Sequence, residues 1–522
     1  MSEPSLRRIS EFVRWHAERT PHVEACVLGT LRITYAELHA RVEATARALI
    51  AAGVQAGDRV ATLATPHPDY WVTFLATVSI GALWVGLNPR YRTGELTYVV
   101  GDADPVVLFT RTRVGERHYD DEIAAMRAAA PSLRQVVILD DGTVDSASCT
   151  LTSFIARGAA VSVETLTAAR IPTAKREPCL IVYTSGSTGR PKGAVLHHLG
   201  IVRFSEAQTR VWPLTETRFL NYFPINHIGC VIDVSCPVLV AGGTIVFMEQ
   251  FAPAESLALM QAERITGWMS VPAVFQQQLA LPDFAAYDLS AVQLVVWEGA
   301  AMPIEMIRQL HALVPRLATN YGMTETTSAI TVLPPTDDVD LLATSVGRAY
   351  DGVEIRLVDE HDRPVAQGEP GEVLVRSLYT TLAYWRRPEA TAAAFTADGF
   401  FRTGDVALQR PDGQYRIVGR LKEMYKSGGY NVYPREIEEV IASHPDVRIA
   451  AVVSRPDPRW DEVGIAYVVA DGALTAPALD AFCRERLANY KVPKAFEFVE
   501  ALPLLPIGKV DKVALARRAR GE

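Results

Sequence analysis

No two cysteines in this chain are spaced C-x-x-C. The six present, Cys26, Cys149, Cys179, Cys230, Cys236 and Cys483, are scattered through 522 residues. They offer no thiol metal site and read as reduced thiols of a cytoplasmic protein. Excess positive charge is missing too. Lysine and arginine number 52 against 60 acids, a formal net charge of −8. Nothing in that balance favours nucleic acid as a partner, although a local basic site for a small phosphate ligand is compatible with it. The N-terminus, MSEPSLRRISEFVRWHAERTP, has no apolar core of signal-peptide type. Internal repeats and low-complexity segments are absent. Long apolar runs are nearly so: only YWVTFLATVSIGALWVGLNP, residues 70–89, approaches a membrane span. Gly81 and Asn88-Pro89 interrupt it, so it is expected to form a buried helix followed by a buried strand, with no membrane span.

What is present alternates. Residues 33–54 have helical spacing through Leu38, Val42, Ala46 and Leu49. GDRVATLA and VVLFT read as strands, and a second set follows in TRFLNYFPI, GGTIVFM, ITGWMSVP and AVQLVVWEG. Strands separated by crossover helices predict an α/β fold with two parallel-type sheets. After about Val346 the texture changes. GVEIRLVDEHDRPVAQGEPGEVLVRS alternates and is punctuated by glycine and proline, as antiparallel hairpins do. PREIEEVIASH, RIAAVVSRP and GIAYVVA then read as a small α+β unit beginning near Leu421.

The stretch YTSGSTGRPKGA, residues 183–194, follows the strand-like CLIVYT. Gly186, Gly189 and Gly193 permit backbone conformations in which successive N–H groups converge on an anion. Thr184, Ser185, Ser187 and Thr188 add hydroxyls; Arg190 and Lys192 add positive charge. It is a phosphate cradle, but no Walker loop. Lys192 is preceded by Pro191 and followed by Gly193, whereas that loop requires G-K-[ST].

This segment resembles the signature loop of the adenylate-forming enzymes, which include acyl-CoA synthetases, adenylation domains and luciferases. NYGMTET (320–326), FFRTGD (400–405), GRLKEMYKSGGYNVYPREIE (419–438) and LPLLPIGKVDK (502–512) resemble the family's other motifs, in order. The likeness covers essentially the whole chain and is greatest to bacterial acyl-CoA synthetases.

The resemblance implies a large N-terminal domain, residues 1–420, of two α/β sheets plus a small β-barrel-like unit. A small mobile α+β domain, 421–522, would follow. It implies ATP and Mg²⁺ as cofactors and an acyl-adenylate as intermediate. Ser185, Gly186, Ser187, Thr188, Gly189 and Lys192 would hold the phosphates, and Thr184 and Glu325 would serve ATP and the metal. Asp405 would clamp the ribose diol with Arg420 beside it. Tyr321 would stack on adenine, flanked by Asn320, Gly322, Met323 and Thr324 and by the backbone of Gly299, Ala300 and Ala301. Lys509 would bridge the substrate carboxylate and the α-phosphate. Lys422 falls at the family's hinge position, and Gly428 and Gly429 would line an acceptor tunnel after the domain turns. His197 and His198, directly after the loop, read as structural or as supports behind the site, with no role of their own.

The acyl pocket is expected from His227, Ile228 and the apolar run after them, with Trp297 and Glu298 opposite. Mostly apolar walls suit an apolar acyl group. Trp297 would shorten the pocket. His227 would lie near the acyl carboxylate. Asp233 interrupts the apolar run, and its distance from Gly242 does not match the aspartate with which peptide-synthetase domains bind an amine. The partners implied are a small carboxylic acid and coenzyme A, with an amine or a carrier protein as alternative acceptors. Monomer and homodimer both stay open.

Overall fold

The run from Tyr70 to Pro89 divides where its interruptions predict. In the computed structural model, which describes residues 6–142, 145, 148–171, 174–184, 190–504 and 510–522, a helix spans Pro68–Ser79 and a strand spans Leu83–Leu87. Proline in the first helical turn sacrifices no hydrogen bond, and the His67 ring accepts from the Asp69 N–H at 3.1 Å. Gly81 turns the chain at φ +78°, a left-handed conformation that other residues adopt only under strain. Tyr70–Ser79 and the whole strand are buried. Among the described residues no helix is long and apolar enough to cross a membrane.

That strand is central in an eight-stranded sheet. Pro178–Thr184, Leu83–Leu87, Arg59–Leu63, Val107–Thr110, Gln135–Ile138 and Ser148–Thr150 run parallel in this spatial order. Beyond Pro178–Thr184 the edge is antiparallel, formed by Lys192–His197 and then Ala383–Tyr384. The second sheet has nine strands. Leu317–Gly322, Leu294–Trp297, Gly267–Ser270, Arg218–Asn221, Thr244–Phe247 and Glu24–Leu28 are its parallel centre. Antiparallel strands close both ends: Leu31–Thr34 at one, Ala329–Thr336 and Arg348–Ala349 at the other. Helices cover the faces, as parallel sheets require. The helix Tyr35–Ala51 starts on a capping box, in which Thr34 Oγ1 accepts from the Glu37 N–H at 3.3 Å and Glu37 Oε2 from the Thr34 N–H at 2.8 Å.

The small β unit is a four-stranded antiparallel sheet, Val353–Val358, Gly371–Ser377, Phe401–Gln409 and Tyr415–Arg420. The C-terminal unit has five strands: Tyr425–Ser427, Tyr430–Val432, Val447–Asp457, Asp461–Ala470 and Ala495–Phe498. They pack with helices Pro434–Ala442 and Ala476–Arg484 around Ile437, Ile441, Val452, Val468 and Leu479.

The two histidines after the loop are structural. His197 Nδ1 accepts from the Gly200 N–H at 3.0 Å, capping the helix His198–Val211, while Arg176 Nε lies 3.1 Å from His197 Nε2. His198 accepts from the Ile9 N–H at Nδ1, 3.3 Å, and donates from Nε2 to the Val78 carbonyl, 3.2 Å. Beside it lies the buried ion pair Arg8 Nε–Glu177 Oε2, at 2.6 Å. Burial first, then the charge of Arg176, draws His197 down to about 4. Burial and the charge of Arg8 draw His198 down to about 3.

These shifts have a defined consequence for stability. With folded values below the ordinary 6.5, the unfolded chain takes up each proton first. The stabilisation is complete above pH 6.5 and is lost as pH falls toward 4 and 3. The limiting slope is about 1.4 kcal/mol per pH unit for each histidine. The urea midpoint should therefore fall between pH 7 and pH 5, and His198→Gln should flatten that fall. Equal falls in the two proteins would contradict the assignment.

Candidate functional site

Strand pairing builds the site. Pro178–Thr184 and Lys192–His197 form a hairpin whose last pair is Thr184 opposite Lys192. The intervening Ser185, Gly186, Ser187, Thr188 and Gly189 lie outside the described residues, as does Lys509. Thr184 Oγ1 donates to Glu325 Oε1 at 3.2 Å. Glu325 sits in the short 3₁₀ turn Thr324–Thr326 and is 5% exposed. The Tyr384 hydroxyl donates to the same oxygen at 2.9 Å, and the Thr381 N–H donates to the Glu325 carbonyl at 2.7 Å. Burial, then the neighbouring Glu325, pushes the Tyr384 phenol far above its ordinary range, so it stays a donor. Lys192 Nζ stands 5.3 Å from the Tyr384 ring centroid.

A second cluster lies on the antiparallel sheet. Asp405 and Arg420 are register partners on adjacent strands. The Asp405 carboxylate, 3% exposed, takes Arg420 Nε at 2.9 Å on one oxygen and the Tyr321 hydroxyl at 2.8 Å on the other. The Tyr321 ring packs on the core of that sheet, which includes Ile330, Val373 and Phe401.

Both clusters open on one cavity of about 490 Å³. Thr184, Lys192, Glu325, Asp405 and Arg420 line it, and so do Asn320, Gly322, Met323, Thr324 and Gly299. Gly322 is required there by close approach, since a Cβ would fall 2.0 Å from the Ser328 carbonyl oxygen. At the acyl side the wall includes His227, Ile228, Asp233 and Glu298. His227 Nδ1 accepts from the Gly229 N–H at 3.0 Å, which fixes the ring. Lys422 also reaches the wall.

Several expected residues are elsewhere. Trp297 is 2% exposed in the main core and is absent from the cavity wall among the described residues. Its strand register turns the indole into the sheet's packing layer and leaves Glu298 at the wall. The structure therefore gives no support to a tryptophan shortening the pocket. Tyr321, Ala300 and Ala301 do not line the cavity either. Gly428 and Gly429 occupy the exposed turn between Tyr425–Ser427 and Tyr430–Val432, at φ +58° and +86°, away from the cavity wall.

Tyr384 and Arg402 line the cavity without having been singled out from the sequence. Tyr384 arrives by pairing with Ala194, a contact that leaves no local pattern. Among the described residues no group of three or more His, Cys, Asp or Glu side chains is placed to hold a metal. The Glu325–Thr184 pair supplies hard oxygen donors only, one carboxylate and one hydroxyl.

The AMP-binding enzyme family matches residues 13–385, and the AMP-binding enzyme C-terminal domain matches residues 436–509. A feruloyl-CoA synthase of an Amycolatopsis species is 35% identical over 506 residues, covering 96% of this chain and 97% of the relative. ATP-bound MatB from Rhodopseudomonas palustris is 31% identical with a TM-score of 0.85, covering 98% of this chain and 99% of that structure. The amide bond synthetase McbA from Marinactinospora thermotolerans gives the same identity, TM-score and coverage. The chain belongs to the AMP-binding, adenylate-forming enzyme family.

Proposed function

We propose that the protein is an AMP-forming acid–CoA ligase. In the first half-reaction a carboxylate oxygen of the acid attacks the α-phosphorus of ATP. The bond to pyrophosphate breaks and an acyl-adenylate remains. In the second, the coenzyme A sulfur attacks the acyl carbon, its proton is lost, and AMP leaves. The observation that carries this reading is the Thr184–Glu325 contact at the mouth of the 184–192 hairpin. It sets a buried carboxylate and a hydroxyl beside the glycine-rich loop.

Roles follow from chemistry and position. The loop 185–189 and Lys192 would bind the departing pyrophosphate. Thr184 and Glu325 would hold Mg²⁺, an ion that suits few protein oxygens plus phosphate oxygens and supplies neutralisation of phosphate charge. Asp405 would accept from the ribose hydroxyls, already oriented by Arg420 and Tyr321. His227 would stand beside the acid's carboxyl. Lys509 would neutralise charge at the α-phosphate. We take residues 1–420 and 421–522 as the two domains, turning about Lys422 and bringing Gly428 and Gly429 toward the acceptor's path. A cytoplasmic location belongs to the same reading. The relative at 35% identity is a CoA synthase, which favours CoA as acceptor. The McbA likeness keeps an amine as the second reading.

Mass analysis of products from ATP, an acid panel and competing CoA and amine acceptors tests the choice. Acyl-CoA with AMP is expected; amide as the main product would reverse the assignment.

Two substitutions probe the residues. Asp405→Ala removes charge-assisted hydrogen bonds, each worth about 1.5–3 kcal/mol. It should raise the KM for ATP in pyrophosphate exchange by roughly 10- to 100-fold; an unchanged KM would exclude a ribose role. Lys509→Ala should slow adenylation by about 10²–10³-fold and leave thioester formation from supplied acyl-adenylate within a few-fold. Equal losses in both halves would contradict the domain-turn reading.

A further inference from the structure

The acyl corner of the cavity carries acids, and three of the four described lysines and arginines of the cavity wall have partners elsewhere. Lys192 lies over Tyr384, Arg420 pairs with Asp405, and Arg402 pairs with Glu372 and Asp362. Asp233 and Glu298 approach from different elements. Asp233 comes from the π-helical turn Gly229–Ser235, and Glu298 follows the strand Leu294–Trp297. Asp233 is 3% exposed.

Two further buried polar groups crowd the same corner. Gln208 is 4% exposed and donates Nε2 to the Asp233 carbonyl at 3.1 Å. Its Oε1 has no hydrogen-bond partner among the described residues. The Tyr350 hydroxyl, in a side chain 5% exposed, has none either. Burial, then Tyr379, then the charges of Glu298 and Asp233 raise that phenol far above its ordinary value, so Tyr350 stays neutral within range of both carboxylates. Buried polar groups left unpaired are rare and call for a reason. Here one bonds the backbone of Asp233 and the other feels the charges of Asp233 and Glu298, two carboxylates of the cavity wall.

We propose that Asp233 and Glu298 read the tail of the acid, and that the substrate's acyl group carries a hydrogen-bond donor, an amino or hydroxyl group, remote from the reacting carboxyl. This rests on the ligase reading above. The physical logic is discrimination by partner. A donor gives the carboxylates hydrogen bonds in place of the water it displaces. An apolar tail displaces that water and returns nothing. An anionic tail meets like charge in a buried corner. The wall thus selects by acceptor chemistry, in a cavity whose volume also has to admit the nucleotide.

The test is ATP–pyrophosphate exchange with phenylacetic and cinnamic acids bearing amino, hydroxyl, methyl or carboxyl groups at each ring position. Wild-type enzyme should show kcat/KM at least 10-fold higher for the best amino or hydroxyl acid than for its methyl isostere, and least for the dicarboxylic acids. Which of the two donors wins separates an amine-type from a hydroxyl-type substrate. Asp233→Asn and Glu298→Gln keep the shape and remove the charge. Each should cut the donor preference to within about 3-fold, mainly through the KM of the acid, with the KM for ATP unchanged. Exchange in which methyl acids equal or exceed donor acids in wild type would overturn this inference and leave the ligase reading standing. So would variants with an unchanged ratio. Exchange with no acid at all would overturn the ligase reading and this one with it.

Discussion

A carboxylate 5% exposed cannot be left to itself, and the Glu325 carboxylate is what the site is built around. Its oxygen Oε1 collects two hydroxyls from distant parts of the chain, Thr184 and Tyr384, while its backbone carbonyl takes the Thr381 N–H. Thr184 ends a strand of the eight-stranded sheet. Glu325 follows a strand of the nine-stranded sheet. Tyr384 lies on the short edge strand beside the hairpin. The buried charge therefore fastens the two large sheets together at the point where the loop leaves its strand. Among the described residues the carboxylate's hydrogen-bond partners are two neutral hydroxyls, both on one oxygen. A site of this kind gains from a cation and phosphate oxygens, and that is the environment the proposed reaction brings.

The second carboxylate shows the same economy with a different partner set. Asp405 is compensated by a guanidinium and a phenol, so both its oxygens are oriented before any ligand arrives. Tyr321 joins the two clusters mechanically. It leaves the nine-stranded sheet only four residues before Glu325, and its ring is held in the core of the antiparallel sheet. A shift of that small sheet would disturb Asp405 and Glu325 together. The two clusters thus form one connected assembly, which is what electrostatic preorganisation would require of them in the proposed reaction.

Much of this was legible in the sequence wherever the determinant was local. Gly81 and the Asn88-Pro89 pair marked the split of the apolar run into helix and strand, and the change of texture after Val346 marked the antiparallel sheet. The strand before the loop motif is buried, as CLIVYT suggested, and its last residue, Thr184, pairs with Lys192. The rest depended on register and long-range pairing. Tyr384 meets Glu325 because residues 190 positions apart pair as Ala194 and Tyr384. Tyr321 finds Asp405 across 84 residues. Trp297 and Glu298 are adjacent, yet strand alternation sends one into the core and the other to the cavity. Composition treats both as pocket candidates, and only the register separates them.

The stem of the segment carrying Lys509 is pinned on both sides: Leu504 bridges Val510, and the Asp511 N–H donates to the Pro503 carbonyl at 2.8 Å. Lys512, just beyond, binds Glu423 at 2.9 Å and Glu438 at 2.8 Å. Glu423 is the residue after Lys422. Glu438 lies on the helix Pro434–Ala442, and its Oε1 also accepts from the Val452 N–H at 2.7 Å. Three charges in a half-buried setting, each held by a different element, resist separate motion. A turn about Lys422 would thus carry the stem, the helix and the 425–432 hairpin as one body. On the proposed reading, that turn would bring Gly428 and Gly429 toward the cavity with no unfolding of the stem between the half-reactions.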